Sequence, residues 1–189
     1  MRSCAISASS EVHLNIEDLG KIQLYLTQTL PCRIQSLERL TAGVLRVILR
    51  LPSNQQLDYH PGQYIDVIGK DGLRRSYSIA NAPAVEKLIE LHIRQVATGA
   101  MSRYWFEEAK VNELLRFSEP LGTFFIRDVS GLNLILLATG TGMAPIKAIL
   151  EGMAAGPKED LPSSISVCWG GRVPQDLYWS PTAVGLALQ

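Results

Sequence analysis

Short runs of alternating apolar and polar residues dominate the chain up to about residue 128 and then give way to a different pattern. Gly43–Leu51 sets Leu45, Val47, Leu49 and Leu51 against Arg46 and Arg50, which predicts a half-buried strand. His60-Pro61-Gly62 breaks the chain before a second strand, Gln63–Ile68. Gly69-Lys70-Asp71-Gly72 reads as a hairpin loop into the strand Arg75-Ser76-Tyr77-Ser78. Leu88–Arg94 alternates again, with Ile89, Leu91 and Ile93 on one face. A short helix carrying Tyr104, Trp105 and Phe106 is expected after Gly99. Leu114–Phe117 and Thr123–Ile126 resume the strand pattern around Pro120-Leu121-Gly122. This succession predicts a closed antiparallel β-barrel over residues 31–130, since closure removes exposed edges.

Near Ser130-Gly131 the period changes. Leu132–Ala138 is an apolar run, unbroken from Leu134, as expected of a parallel strand buried on both faces. Ile146, Ile149, Leu150 and Met153 fall at helical spacing, with Pro145 in the first turn, where a missing N–H does no harm. A polar loop, Ala155–Pro162, leads to a second apolar strand, Ile165–Trp169. This is a βαβ unit, so residues 131–189 read as a partial α/β Rossmann-like domain with two visible parallel strands. Residues 1–30 form a separate N-terminal segment, in which Glu11–Ile16 alternates Val12, Leu14 and Ile16.

Composition narrows the partners. The 189 residues are 47% apolar and 19% charged, the profile of a soluble globular protein. Eighteen basic and eighteen acidic side chains cancel, which gives no pull toward nucleic acid. The longest apolar run is too short to span a membrane, and the first residues lack the apolar core of a signal peptide. Cys4, Cys32 and Cys168 are too few and too far apart for a disulfide framework. The expected compartment is the cytoplasm.

Three segments carry candidate chemistry. Arg75, Ser76, Tyr77 and Ser78 offer what a flavin needs: a guanidinium for a phosphate, a flat phenol for a ring system and a hydroxyl for a ring nitrogen. Strand geometry puts Arg75 and Tyr77 on one side and Ser76 and Ser78 on the other. The same residues would also suit an ordinary amphipathic strand. Gly140-Thr141-Gly142 joins the apolar strand to its helix, where bare backbone and a helix N-terminus suit a phosphate. It lacks the third glycine of the dinucleotide fingerprint, and such turns also use glycine for sterics alone. Gly99-Ala100-Met101-Ser102 opens the short helix and reads either as a second phosphate cradle or as a plain N-cap. His13 and His60 lack partners at ligand spacing, so no metal site is expected. Trp105 and Phe106 read as core, and Glu107-Glu108 as a solvated face.

The motifs RSYSIANAP, ELHIRQV, GAMS, EPLGTFF, ATGTGMAP and CWGGR-x-x-x-DLYW occur here in the order seen in the ferredoxin–NADP⁺ reductase-like flavoprotein superfamily. Over roughly residues 31–179 the chain resembles NAD(P)H-flavin reductases and the CDP-6-deoxy-Δ3,4-glucoseen reductase type of iron–sulfur flavoprotein. The resemblance implies a Greek-key flavin barrel followed by a nicotinamide-dinucleotide domain, with hydride passing from the nicotinamide to flavin N5. Arg75 would hold a flavin phosphate, Tyr77 would pack on the isoalloxazine and Ser78 would bond near N5 as the catalytic group. His92, Ile93 and Arg94 would line the flavin, and Gly99, Met101 and Ser102 would take the FAD pyrophosphate. Gly140, Thr141 and Gly142 would shape the nicotinamide pocket, with Gly170, Gly171 and Arg172 beside the dinucleotide. The implied cofactors are FAD and NADH or NADPH.

The resemblance also makes residues 1–30 look like the tail of a plant-type ferredoxin domain whose last cluster ligand is Cys4. The C-x₄-C-x₂-C portion is missing, so no iron–sulfur cluster is expected in this chain. Relatives continue beyond the second parallel strand, so a chain truncated at both ends is expected, with apolar surface left open in the half-domain. Cys168 is expected to face a packed core. The implied activity is NAD(P)H oxidation through FAD to an electron acceptor, either free flavin or an iron–sulfur protein, deoxysugar biosynthesis being one setting. A flavin-binding module or electron-transfer subunit with little such activity is the alternative.

Overall fold

The computed structural model describes His13 and residues 28–55, 57–69, 72–84, 86–118 and 120–187. Cys4 and nearly all of the strand expected at Glu11–Ile16 lie outside the described residues. The first half of β1 (Thr29–Thr41) alternates Leu30, Cys32 and Ile34 inward, and a register shift then separates Ile34 from Ser36. β2 (Val44–Arg50) returns antiparallel beside it. β3 (Tyr64–Ile68), β4 (Arg74–Ser78), β5 (Leu88–Arg94) and β6 (Leu114–Ser118) complete a six-stranded sheet of order β4-β3-β6-β1-β2-β5. Every pairing in it is antiparallel. The period-two pattern turns Ile65, Val67, Ile89, Leu91, Ile93 and Phe117 into one interior. α1 (Ala100–Arg103) runs on as a π-helical turn, Tyr104–Glu108, and plugs that interior with Met101, Tyr104 and Trp105.

The barrel is not closed. β4 and β5 end the strand order, and an isolated bridge between Ile79 and Leu91 is what joins them. The Ala80 N–H donates to the Glu90 carbonyl at 2.8 Å within that bridge. Beside it runs a seam bordered by β4 and β5.

Thr123–Ile126 is not a strand either. The Arg127 guanidinium donates to the Thr123 carbonyl at 3.0 Å and the Phe125 carbonyl at 2.7 Å, and it lies over the Phe125 ring. A side chain thus takes the bonds that a neighbouring strand would have made.

The second unit comprises β7 (Asn133–Thr139), α2 (Met143–Ala155) and β8 (Ser164–Gly170), with β7 and β8 parallel. Met143, Ile146, Ile149 and Leu150 of α2 pack on Leu136 and Ile165. The expectation that β7 is buried on both faces fails: Ile135 is 63% exposed and Leu137 71%. Cys168 is exposed on β8 and faces no core. A helix covers one side of this sheet, and the apolar residues on the other side lie open. Among the described residues no helix is long and apolar enough to cross a membrane.

Backbone geometry gives a paired stability test. Gly62 has φ +106°, and a Cβ there would run into the Phe124 carbonyl, whereas Gly131 has φ +72° and nothing within 4 Å. Gly131→Ala should cost about 1–2 kcal/mol, from left-handed strain alone. Gly62→Ala should cost clearly more, because strain and clash add. Urea denaturation of the two variants checks the order, and equal losses would contradict the close approach at Gly62.

Candidate functional site

The seam collects the flavin-side candidates. Register with β3 sets Tyr77 opposite Ile65 and Arg75 opposite Val67, and sets Ser76 opposite Asp66 and Ser78 opposite Tyr64. The Ser76 hydroxyl donates to Asp66 Oδ1 at 2.6 Å. The half-buried Tyr77 hydroxyl accepts from the Trp105 indole at 3.1 Å, with the rings edge to face at 6.3 Å. Burial raises the Tyr77 pKa, opposed by that bond and by the nearby Arg75 charge. Arg75 is exposed, donates to the Arg74 carbonyl at 2.8 Å and forms no ion pair among the described residues.

Across the seam, β5 contributes unequally. Ile93 is 1% exposed, within the barrel core, so its side chain is closed to a ligand and only its backbone faces the strand edge. His92 is buried and bonded at both ring nitrogens. Arg94 is exposed, and its guanidinium lies near Gly140. At α1, Gly99 occupies the N-cap with no side-chain cap. The Ser102 hydroxyl accepts from the Val96 N–H at 2.7 Å, and Met101 is buried in the core. A cradle here would rest on the Gly99 backbone and the Ser102 hydroxyl, and the Met101 side chain takes no part.

The nucleotide-side candidates line a cleft of about 340 Å³ between the two units. Thr41, Gly43, Val44, Arg94 and Gln95 form the barrel wall; Gly140, Thr141, Gly170, Gly171 and Arg172 form most of the other. Gly140 has φ +51°, and its carbonyl accepts from the Trp169 indole at 2.9 Å. The Arg172 N–H bonds Asp176 Oδ2 at 2.9 Å and closes the turn after β8, while its side chain is exposed. Gly142 caps α2 and is not among the cleft's lining residues. A larger cavity, about 520 Å³ beside Cys32, Arg33, Arg50 and Lys87, contains none of the predicted residues. The Cys32 thiol in its wall is pushed up to about 12 by burial, opposed by a backbone bond from Leu115, and is correspondingly unreactive.

Joining seam and cleft is a buried charged cluster of which His92 alone was expected at the site, while Glu90, Arg46, Lys147 and Tyr178 were not. Glu90, on β5, is 6% exposed. Its Oε1 lies 2.7 Å from His92 Nε2, and its Oε2 accepts from Arg46 at 3.2 Å and lies 3.4 Å from Lys147 Nζ. The His92 Nδ1 lies 3.0 Å from the Tyr178 hydroxyl. Burial pushes the Glu90 carboxyl up, but the bonds from His92 and Arg46, with the charge of Lys147, outweigh it and hold it at about 2. A partial signal was present in sequence: in Leu88–Arg94, Glu90 and His92 share the face opposite the apolar residues. Lys147 gives a second, as a lysine between Ile146 and Ala148 in an otherwise apolar helical run.

The Glu90 shift fixes a pH dependence. Its folded pKa of about 2 lies below the ordinary 4.5, so its contribution is fully present above pH 4.5 and is lost as pH falls through 2. At roughly 1.4 kcal/mol per unit, that contribution is about 3 kcal/mol. Melting curves of the parent chain and Glu90→Gln should therefore converge as pH drops across this window. A gap independent of pH would contradict the charged cluster.

Comparison with known proteins identifies the family and the fold. Residues 31–126 match the oxidoreductase FAD-binding domain family. The CDP-6-deoxy-L-threo-D-glycero-4-hexulose-3-dehydrase reductase of Yersinia pestis is 38% identical over 176 residues, 93% of this chain and 52% of that protein. Reductase component 2 of terephthalate 1,2-dioxygenase from Comamonas sp. is 30% identical over 181 residues, 96% of this chain and 52% of that protein. The chain thus spans about half the length of these curated relatives. A ferredoxin reductase in carbazole 1,9a-dioxygenase superposes with TM-score 0.76 at 24% identity, covering 89% of this chain and 50% of that one, which shows the fold. The chain belongs to the oxidoreductase FAD-binding domain family, built on a ferredoxin reductase-like fold.

Proposed function

We propose that residues 31–130 hold FAD along the β4–β5 seam. We further propose that residues 131–189 present NADH or NADPH to it from the adjoining cleft, and that electrons pass on to an iron–sulfur partner or free flavin. The observation that carries this reading is the layout of β5. One edge of it borders the seam with Tyr77 and Ser78, and its last residue, Arg94, lines the cleft with Gly140 and Arg172. A ligand in the seam and a ligand in the cleft would therefore meet.

The residues present fit FAD. The Arg75 guanidinium is exposed and free of acidic partners among the described residues, so it can take a phosphate in a forked geometry. Tyr77 is fixed edge-on by Trp105 and offers its ring, while Ser78, bordering the seam, offers a hydroxyl to the ring edge. Gly99 brings bare backbone close, with Ser102 beside it, for a second phosphate. FAD when bound would supply the redox chemistry, and the chain supplies placement and charge. In the cleft, Arg94 and Arg172 provide the cations for a dinucleotide. The exposed Arg172 also suits a 2′-phosphate, which keeps NADPH beside NADH. A protein acceptor is in keeping with the relatives' names, a dehydrase reductase and a dioxygenase reductase component.

A second reading is a flavin-binding module with little nicotinamide oxidation of its own, in keeping with a family match that covers residues 31–126 and stops before β7. Anaerobic mixing of the FAD-loaded chain with NADH or NADPH separates the two. Rapid bleaching of the flavin supports the reductase, and none supports the module. Arg75→Ala should weaken FAD binding about tenfold to a hundredfold, the equivalent of roughly 1.5–3 kcal/mol for a charge-assisted contact. Fluorescence titration with FAD checks this, and unchanged affinity would remove Arg75 from the site.

A further inference from the structure

The flavin-side strand and the nucleotide-side turn are tied to each other twice, by separate routes. The first runs through α2, which begins directly after Gly140-Thr141-Gly142. Lys147 Nζ donates to the Ala80 carbonyl at 2.9 Å and to Glu151 Oε1 at 2.6 Å, and lies 3.4 Å from Glu90 Oε2. Glu151 Oε2 in turn accepts the Ala82 N–H at 3.0 Å. Ala80 and Ala82 lie two and four residues after Ser78, so one helix face grips the backbone that leaves the flavin-side strand.

The second route begins at the turn itself. The Gly140 carbonyl accepts from Trp169, whose ring meets Tyr178 edge to face at 5.0 Å. The Tyr178 hydroxyl reaches His92, and His92 reaches Glu90. At Glu90 the two routes join, since Lys147 is there already. Gly140, Trp169, Tyr178, His92, Glu90 and Lys147 thus form a ring of contacts, closed through the first turns of α2.

Glu90, His92 and Lys147 are 6%, 6% and 7% exposed. Buried ion clusters of this kind add little stability over apolar side chains of the same volume. They do impose direction, because each carboxylate oxygen and N–H bonds along a defined line. Direction matters most where two reacting groups must meet, since a 1 Å misplacement far from the chemistry can cost a hundredfold in rate.

We propose that this ring is a positioning device that sets the nucleotide-side turn against the flavin-side strand, with Lys147 and Tyr178 as its positioning residues. What is positioned rests on the function proposed above; the mechanical coupling does not.

Two variants test it in the full chain. Lys147→Met keeps the stem and removes the ammonium. Tyr178→Phe removes one hydroxyl, introduces no buried charge and serves alone should Lys147→Met fail to fold. Hydrogen exchange of peptides covering 79–83 and 139–144 should rise about tenfold in each variant, including the peptide remote from the substitution, while β1 and β2 stay protected. FAD affinity should stay within about threefold. The rate of flavin bleaching at saturating NADH should fall about tenfold, with the NADH concentration for half-saturation unchanged. Exchange rising only beside the substituted residue overturns the coupling. Bleaching at the parent rate in both variants overturns the positioning role. If the parent chain binds FAD but neither NADH nor NADPH bleaches it, the proposed function has failed, and the exchange result alone decides the ring.

Discussion

A sheet that curls without closing leaves two edges, and this structure depends on where those edges fall. β4 and β5 end the six-strand order, joined at Ile79 and Leu91 by a single bridge. An unpaired edge is normally a liability, because its N–H and C=O groups invite another strand. Here the edges border the residues best suited to a flavin: Arg75, Tyr77 and Ser78 on one side, and the His92–Arg94 backbone on the other. Full closure would have paired those groups with each other. The opening is therefore a requirement of the proposed site, and α1 with its π-helical turn keeps the interior sealed behind it through Met101, Tyr104 and Trp105.

The Glu90 cluster answers a different constraint. The barrel has its own apolar core, and the βαβ unit has a smaller one around Met143, Ile146 and Leu150. Two such cores could dock at many angles through apolar contact alone. A carboxylate held by Arg46, His92 and Lys147 together accepts far fewer. The backbone bonds from Lys147 to Ala80 and from Ala82 to Glu151 restrict the same joint.

What was legible in the sequence follows from the range of the signal. β5 spans Leu88–Arg94 as the alternation predicts, and α2 carries Ile146, Ile149, Leu150 and Met153 as its period predicts. Both patterns are local. β1 was not anticipated at all: its inward alternation is confined to Leu30, Cys32 and Ile34, and the residues after Ile34 are half-buried or exposed and carry Glu38 and Arg39 where alternation would show. Thr123–Ile126 misled because its apolar residues resemble a strand, while Arg127 supplies the bonds that prevent one. The members of the charged cluster left a partial signal, but their meeting was not legible, for a simpler reason. Lys147 and Ala80 are 67 residues apart, and periodicity carries no information over that range. Of the candidate site, the residue types were legible and their accessibility was not. Met101 and Ile93 lie in the core, while Arg75, Arg94 and Arg172 are open.

The bare face of the parallel sheet sharpens the importance of the joint. Parallel strands are ordinarily covered on both faces. Here Ile135, Leu137 and Cys168 are exposed, so the βαβ unit buries apolar surface on one side of its sheet. Among the described residues, what holds it to the barrel includes Lys147, Glu151 and Tyr178, the same side chains that fix its angle. Attachment and alignment are therefore not separable in this chain. Loosening the cluster would let the nucleotide-side turn drift, and it would also withdraw support from the sheet that carries the turn.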